Sequence, residues 1–219
     1  MARLLFEKTG NAVWISHLDL MRLFQRAFKR AGLSLTHTQG FNPRPSVSIA
    51  LPLSVGVQSC CELLDFDLDG DPLSYEQVKD RLNQALVDGV RVLEIYGDGR
   101  KLRELALMSC AVDLEYDQGV GAGAVKEITA LFERESLTVS KKSKNGITEQ
   151  DIIPMIRRIG VSVVDENTLR FDALVCCQNP SLNPMQLVAA VERYLPHWKP
   201  DHAVCCRVEL YDTNERIFR

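Results

Sequence analysis

No C-x-x-C pair occurs among the seven cysteines of this 219-residue chain. They fall instead as Cys60-Cys61, Cys110, Cys176-Cys177 and Cys205-Cys206, a spacing poorly suited to zinc or to an iron–sulfur cluster. Adjacent residues of a strand point to opposite faces, so each pair is expected to place one thiol inside and one outside, reduced and without metal. Phosphate-binding motifs are missing too. There is no G-x-x-x-x-G-K-[ST], no G-x-G-x-x-G after a strand and no H-x-E with paired cysteines, which sets aside the P-loop, dinucleotide-binding and zinc-deaminase classes. No stretch approaches the roughly 18 apolar residues that cross a bilayer, and the opening MARLLFEKTG lacks the apolar centre of a signal peptide. The chain reads as a cytoplasmic protein with no membrane partner and no cofactor of its own.

Nor is there an overall excess of basic charge, since the formal net charge is -3. The charges are segregated, however. Residues 1–50 carry seven Lys/Arg against only Glu7 and Asp19, a local net charge of +5 that leaves -8 on the rest of the chain. Net charge says little about partners when it is distributed this unevenly. The N-terminal segment is the only sizeable basic region.

Hydrophobic residues make up 46% of the chain, enough to bury a core, and the length suits two small domains. RLLFEK (3–8) reads as a strand. Ser16 with Asp19 three residues on forms a helix-start box, and Gly32 stands where the helix should stop. Between them, Leu18, Met21, Phe24 or Gln25, and Phe28, joined by Leu20, Ala27 and Ala31, form a broad apolar face, with Arg22, Arg26, Lys29 and Arg30 on the other side. Strands follow at 33–37, VSIALPL and ELLDFDL, then a helix opened by the Ser74–Gln77 box, then a strand at 90–97. The second half repeats this order: a strand at 106–116, a helix at about 122–134, a strand at 137–142, an inserted helix at 148–158, a strand at 168–177, a helix opened by Asn183-Pro184 and a strand at 203–211. The expected fold class is α+β: tandem ferredoxin-like (βαββαβ) domains with antiparallel sheets, residues 1–98 and 105–219, the second carrying the inserted helix.

Binding chemistry concentrates at the basic helix and the loop after it. Four cations on one helix face can meet several phosphates, each adding to the polyelectrolyte term. The bland alternative is a solvated helix face. In QGFNPRPS, Gly40 permits a turn, while Pro43 and Pro45 fix the backbone on either side of Arg44. Such a loop can hold the Arg44 fork and the Phe41 ring in a fixed relation, suited to pairing a phosphate and stacking a base. Alternatively it is a structural turn that Phe41 anchors to the core. His17 and His37 are the only candidates for an acid–base pair in RNA cleavage. KKSKNG (141–146) is a second, smaller basic cluster.

The runs ISHLDLMRLFQRAFKRAGL, GFNPRPSVSIALPLSVGVQS and ELLDF resemble the radical-SAM-linked proteins, a bacterial family found alone or fused behind cobalamin-binding radical-SAM proteins. The resemblance is specific over about the first 70 residues; beyond them it rests on length, element order and the ending VCCRVELYD. It implies a partner, a separate radical-SAM enzyme carrying the cluster and S-adenosylmethionine, because this chain lacks C-x-x-x-C-x-x-C. A more distant similarity is to CRISPR repeat-associated RNA-processing proteins, whose tandem ferredoxin-like domains carry a helix-borne histidine. Their glycine-rich loop near the C-terminus is replaced here by CCRVELYDTNERIFR. The resulting expectation is an accessory subunit without catalytic activity of its own. It would bind structured RNA through Arg22, Arg26, Lys29, Arg30, Phe41 and Arg44 and present it to the radical-SAM enzyme. The alternatives are a metal-independent endoribonuclease using His17 and His37, and a subunit that binds only protein.

Overall fold

The computed structural model describes residues 1–70, 72–143 and 146–219. It is a mixed α/β structure with four α-helices and antiparallel strand pairing, divided into two compact units, 1–102 with Arg219, and 103–218. Arg219 joins the first unit because its carbonyl accepts the Arg100 N–H at 2.9 Å. Among the described residues, no helix is long and apolar enough to cross a membrane.

The first unit runs β1 (Ala2–Lys8), α1 (His17–Arg30), β2 (Val47–Ile49), β3 (Gln58–Phe66), α2 (Tyr75–Ala85) and β4 (Val90–Gly97). A 3-10 turn, Gly10–Trp14, joins β1 to α1. The strands lie side by side in the order β4-β1-β3-β2, every neighbour antiparallel. Leu4 and Phe6 of β1 and Leu64 and Phe66 of β3 share the face covered by Leu20, Phe24, Ala27 and Phe28 of α1 and by Val78 and Leu82 of α2. Ring pairs lock this contact, with Phe6 edge-on to Phe24 at 4.7 Å and Phe28 against Phe66 at 5.1 Å. Arg3 spans the opposite face in a bidentate pair with Asp65 at 2.6 and 3.0 Å, and also donates to the Arg100 carbonyl.

Both helix starts form as their residues dictate. The Ser16 side chain accepts from the Asp19 N–H, and Ser74 with Gln77 closes a reciprocal box. Leu18 departs from the expectation. It is 67% exposed rather than part of the apolar face, because it projects between the core stripe and the basic stripe. The segment 33–37 is not a strand but joins its neighbours only through single bridges, Leu35 to Leu68 and His37 to Pro45.

The second unit runs β5 (Leu105–Glu115), α3 (Ala124–Phe132), β6 (Thr138–Ser143), β7 (Gly146–Asp151), β8 (Ile156–Val163), β9 (Thr168–Cys176), α4 (Met185–Tyr194) and β10 (His202–Asp212). Its main sheet has the order β10-β5-β9-β8, again antiparallel throughout, and β6 with β7 forms a separate hairpin. The helix expected over 148–158 does not exist. That stretch is most of β7, a 3-10 turn at Ile153–Met155, and the start of β8. Pro154 is the physical reason: in the middle of a helix it would have no N–H to donate and its ring would clash with the carbonyl four residues earlier, so it is tolerated only at the start of the short 3-10 turn. The Asp151 carboxylate then fixes the turn by accepting from the N–H groups of Leu137 and Ile153. The strand expected at 137–142 therefore belongs to the hairpin, and β8 takes its place in the main sheet.

The paired cysteines alternate as strand geometry requires. Cys61, Cys177 and Cys205 are buried, while Cys60 is exposed and Cys176 and Cys206 are half-buried. Burial pushes the Cys177 and Cys205 thiols up to about 12, and raises Cys110 as well.

Candidate nucleic-acid interface

At 100° per residue, Arg22, Arg26, Lys29 and Arg30 fall within an arc of about 100° on α1, opposite Phe24. All four are exposed, but they are not equally available. Arg22 pairs with Asp19 at 3.0 Å. Arg30 donates to the Ala85 carbonyl in the last turn of α2, satisfying one of the acceptors a helix end leaves open. Arg26, Lys29 and Arg44 enter no ion pair among the described residues. They are the cations free to meet an anion.

The end of α1 builds the next part of the surface. The Gly32 N–H reaches the Lys29 carbonyl at 3.2 Å and the Leu33 N–H reaches the Phe28 carbonyl at 2.9 Å, the crossed pair of bonds that closes a helix on glycine. This reversal stacks Leu33 on Phe28, both buried, and opens a hollow of about 420 Å³ beside them. Gln25, Lys29, Ser34, Leu35, His37 and Pro45 complete its lining.

The loop rises from the wall of that hollow. The Thr38 N–H donates to the Arg44 carbonyl at 2.8 Å, and the Arg44 N–H returns a bond to Thr38 Oγ1 at 3.0 Å. Below this neck, the Ser46 N–H donates to the Thr36 carbonyl. Residues 39–43 project beyond the neck, and Phe41 at the tip is 101% exposed. It therefore anchors nothing to the core, and among the described residues the loop is held by its neck. His37 and Pro45, which bridge to each other, are at once the base of the loop and lining residues of the hollow.

The two histidines are not brought together. His17 starts α1 on its core side, three positions before Leu20 and seven before Phe24, whereas His37 lines the hollow with Gln25 and Lys29. Eight to twelve residues of helix separate these positions, about 12 to 18 Å at 1.5 Å per residue. The spacing of His17 to Phe24 and Phe28 was itself a sign that it leaves the basic face. The hollow, with Gln25 and Ser34, escaped sequence reasoning because nothing local marks it. In the second basic cluster, Lys144 and Asn145 lie outside the described residues. Among the described residues, no group of His, Cys, Asp and Glu side chains converges as metal ligands do.

Residues 2–184 match a bacterial family described as an uncharacterized protein conserved in bacteria, DUF2344. The chain belongs to this family. No curated protein matches the sequence. Among solved structures, an unknown protein from Galdieria sulphuraria aligns over 94% of this chain and 97% of its own, at 11% identity and a TM-score of 0.27. A candidate glycine cleavage system transcriptional repressor aligns over 97% of each chain, at 11% identity and a TM-score of 0.23. At these scores neither likeness bears on the DUF2344 chain's function.

Proposed function

We propose that this DUF2344 protein is an accessory subunit that binds RNA and presents it to a separate radical-SAM enzyme, without catalysing a reaction itself. The observation that supports RNA is the grouping of Arg26 and Lys29 on α1 with the Arg44 loop and its fully exposed Phe41. An unanchored aromatic ring beside uncommitted cations suits single-stranded RNA, whose bases stack on side chains while its phosphates seek charge. The partner enzyme, which would supply the cluster and its cofactor, rests on the sequence resemblance. The separation of His17 from His37 weighs against the nuclease alternative. Both units are read as ferredoxin-like, with the β6–β7 hairpin inserted in the second. Their fourth-first-third-second strand order, with a helix after the first and third sheet strands, supports that reading.

The test is a salt titration of binding to a fluorescently labelled single-stranded RNA. Single strands contribute about 0.7 to the log-log salt slope per neutralised phosphate, so R26Q/K29Q/R44Q should lower its magnitude by roughly two units. An unchanged slope would show that these side chains are merely solvated. Loss of partner-enzyme binding with the slope intact would make the surface a protein-docking site.

A further inference from the structure

The hollow beside the end of α1 has a lining that neither a solvated helix nor a phosphate-tracking stripe requires. Its accessible apolar surface is that of the half-buried Leu35 and Pro45, since Phe28 and Leu33, which also line it, are 0% and 4% exposed. Its remaining side chains are Gln25, Ser34, His37 and Lys29, and among the described residues no carboxylate lines it. A purely apolar occupant would strip water from those polar groups without replacing their hydrogen bonds. A small inorganic anion would leave the apolar surface of Leu35 and Pro45 uncovered. A flat heterocycle with a polar edge and a phosphate satisfies both halves, and a volume of about 420 Å³ lies in the range of small-ligand sites.

We infer that the hollow holds one unpaired adenine nucleotide of the bound RNA, an inference that rests on the RNA-binding reading above. Gln25 carries an amide that donates and accepts side by side, the pattern that matches the adenine N6 and N7 edge. Ser34 supplies a hydroxyl able to do either. The hollow also lies against the carbonyl end of α1, where partial negative charge favours a donor such as the adenine amino group and disfavours phosphate. The phosphate therefore stays at the rim, where Lys29 lines the hollow and Arg26 stands one turn earlier on the same stripe. His37 closes the wall at the loop neck, so a chain leaving the hollow passes towards Phe41.

The test measures binding of the full chain to labelled rA10, rU10 and free AMP by fluorescence anisotropy and competition. The expected result is that rA10 binds about tenfold tighter than rU10, the low-to-middle part of the range for one bidentate amide–adenine contact. Q25M, which keeps the side-chain length but removes the amide, should erase that ratio while leaving the salt slope unchanged. S34A is the second variant and should reduce the ratio, with circular dichroism of both variants matching the parent. Equal binding of rA10 and rU10 by the parent protein, or a ratio that survives Q25M and S34A with the salt slope intact, overturns the hollow and spares the RNA reading. Absence of binding to every RNA overturns both. AMP binding as tight as rA10 would overturn the assignment to RNA and make the hollow a mononucleotide site.

Discussion

Replacing Gly89 by alanine tests the corner of the first unit that carries α1 and its basic face. Gly89 precedes β4 with φ +84, a conformation L-residues rarely adopt, and its carbonyl accepts the Thr9 N–H at 2.8 Å. A Cβ built there would stand 2.4 Å from the Thr9 carbonyl oxygen, 2.9 Å from Ala12 Cβ and 3.3 Å from the Ala12 nitrogen. Two of these atoms are backbone, in the turn that leads into α1, so none can swing aside. Left-handed geometry costs an L-residue about 1–2 kcal/mol, and overpacking a closed site adds about 1–3 kcal/mol. G89A should therefore lose roughly 2–5 kcal/mol by urea denaturation. G121A is the control: its Cβ would come within 2.5 Å of the Trp198 ring, a half-buried side chain that must turn and give up its bond to Glu127, but no backbone atom has to move. The loss there should stay at about 1 kcal/mol, the net worth of the one exposed hydrogen bond that turning the ring breaks. If G89A were as mild as G121A, the argument from backbone proximity would fail.

Lys8 is 1% exposed and donates to the Val13 carbonyl at 3.1 Å, and burial holds its pKa below the ordinary 10.5 while Glu62 partly opposes the shift. Between the lowered folded value and 10.5 the unfolded chain binds more protons, so stability should rise with pH across that window; the penalty is full below it and gone above it. K8M should remove this rise, and parallel urea midpoints for K8M and the parent up to pH 10.5 would contradict the placement. Thiol titration gives an independent check on the second unit. Cys60 should react promptly in the native protein, whereas Cys110, Cys177 and Cys205, buried and held protonated, should react only after unfolding. Prompt native reaction of all seven thiols would refute that burial. Elemental analysis of anaerobically purified protein should find no stoichiometric zinc or iron, and one metal per chain lost on C176S/C205S would overturn that expectation.

Local chemistry was legible in the sequence wherever one short segment decides it. Ser16 with Asp19 and Ser74 with Gln77 determined two helix starts, Gly32 determined where α1 stops, and strand alternation determined that one cysteine of each pair lies deeper than its neighbour. These signals work because a cap or a pleat involves groups only a few residues apart. Pro154 was equally local evidence against a helix at 148–158, and its meaning became plain once the Asp151 carboxylate was seen to hold the turn. Other features needed partners distant in the chain. Edge strand β8 alternates weakly, and only pairing with β9 gave it a place in the sheet that the 137–142 strand had been expected to fill. Arg30 read as a phosphate contact until Ala85, 55 residues on, took its guanidinium. Phe41 read equally well as an anchor or a free ring until the neck between Thr38 and Arg44 left it in solvent. The sequence determined that a basic helix precedes a stiff loop. Tertiary structure decided which of its cations remain free and opened a hollow between them, because availability and cavity shape depend on groups that only folding brings together.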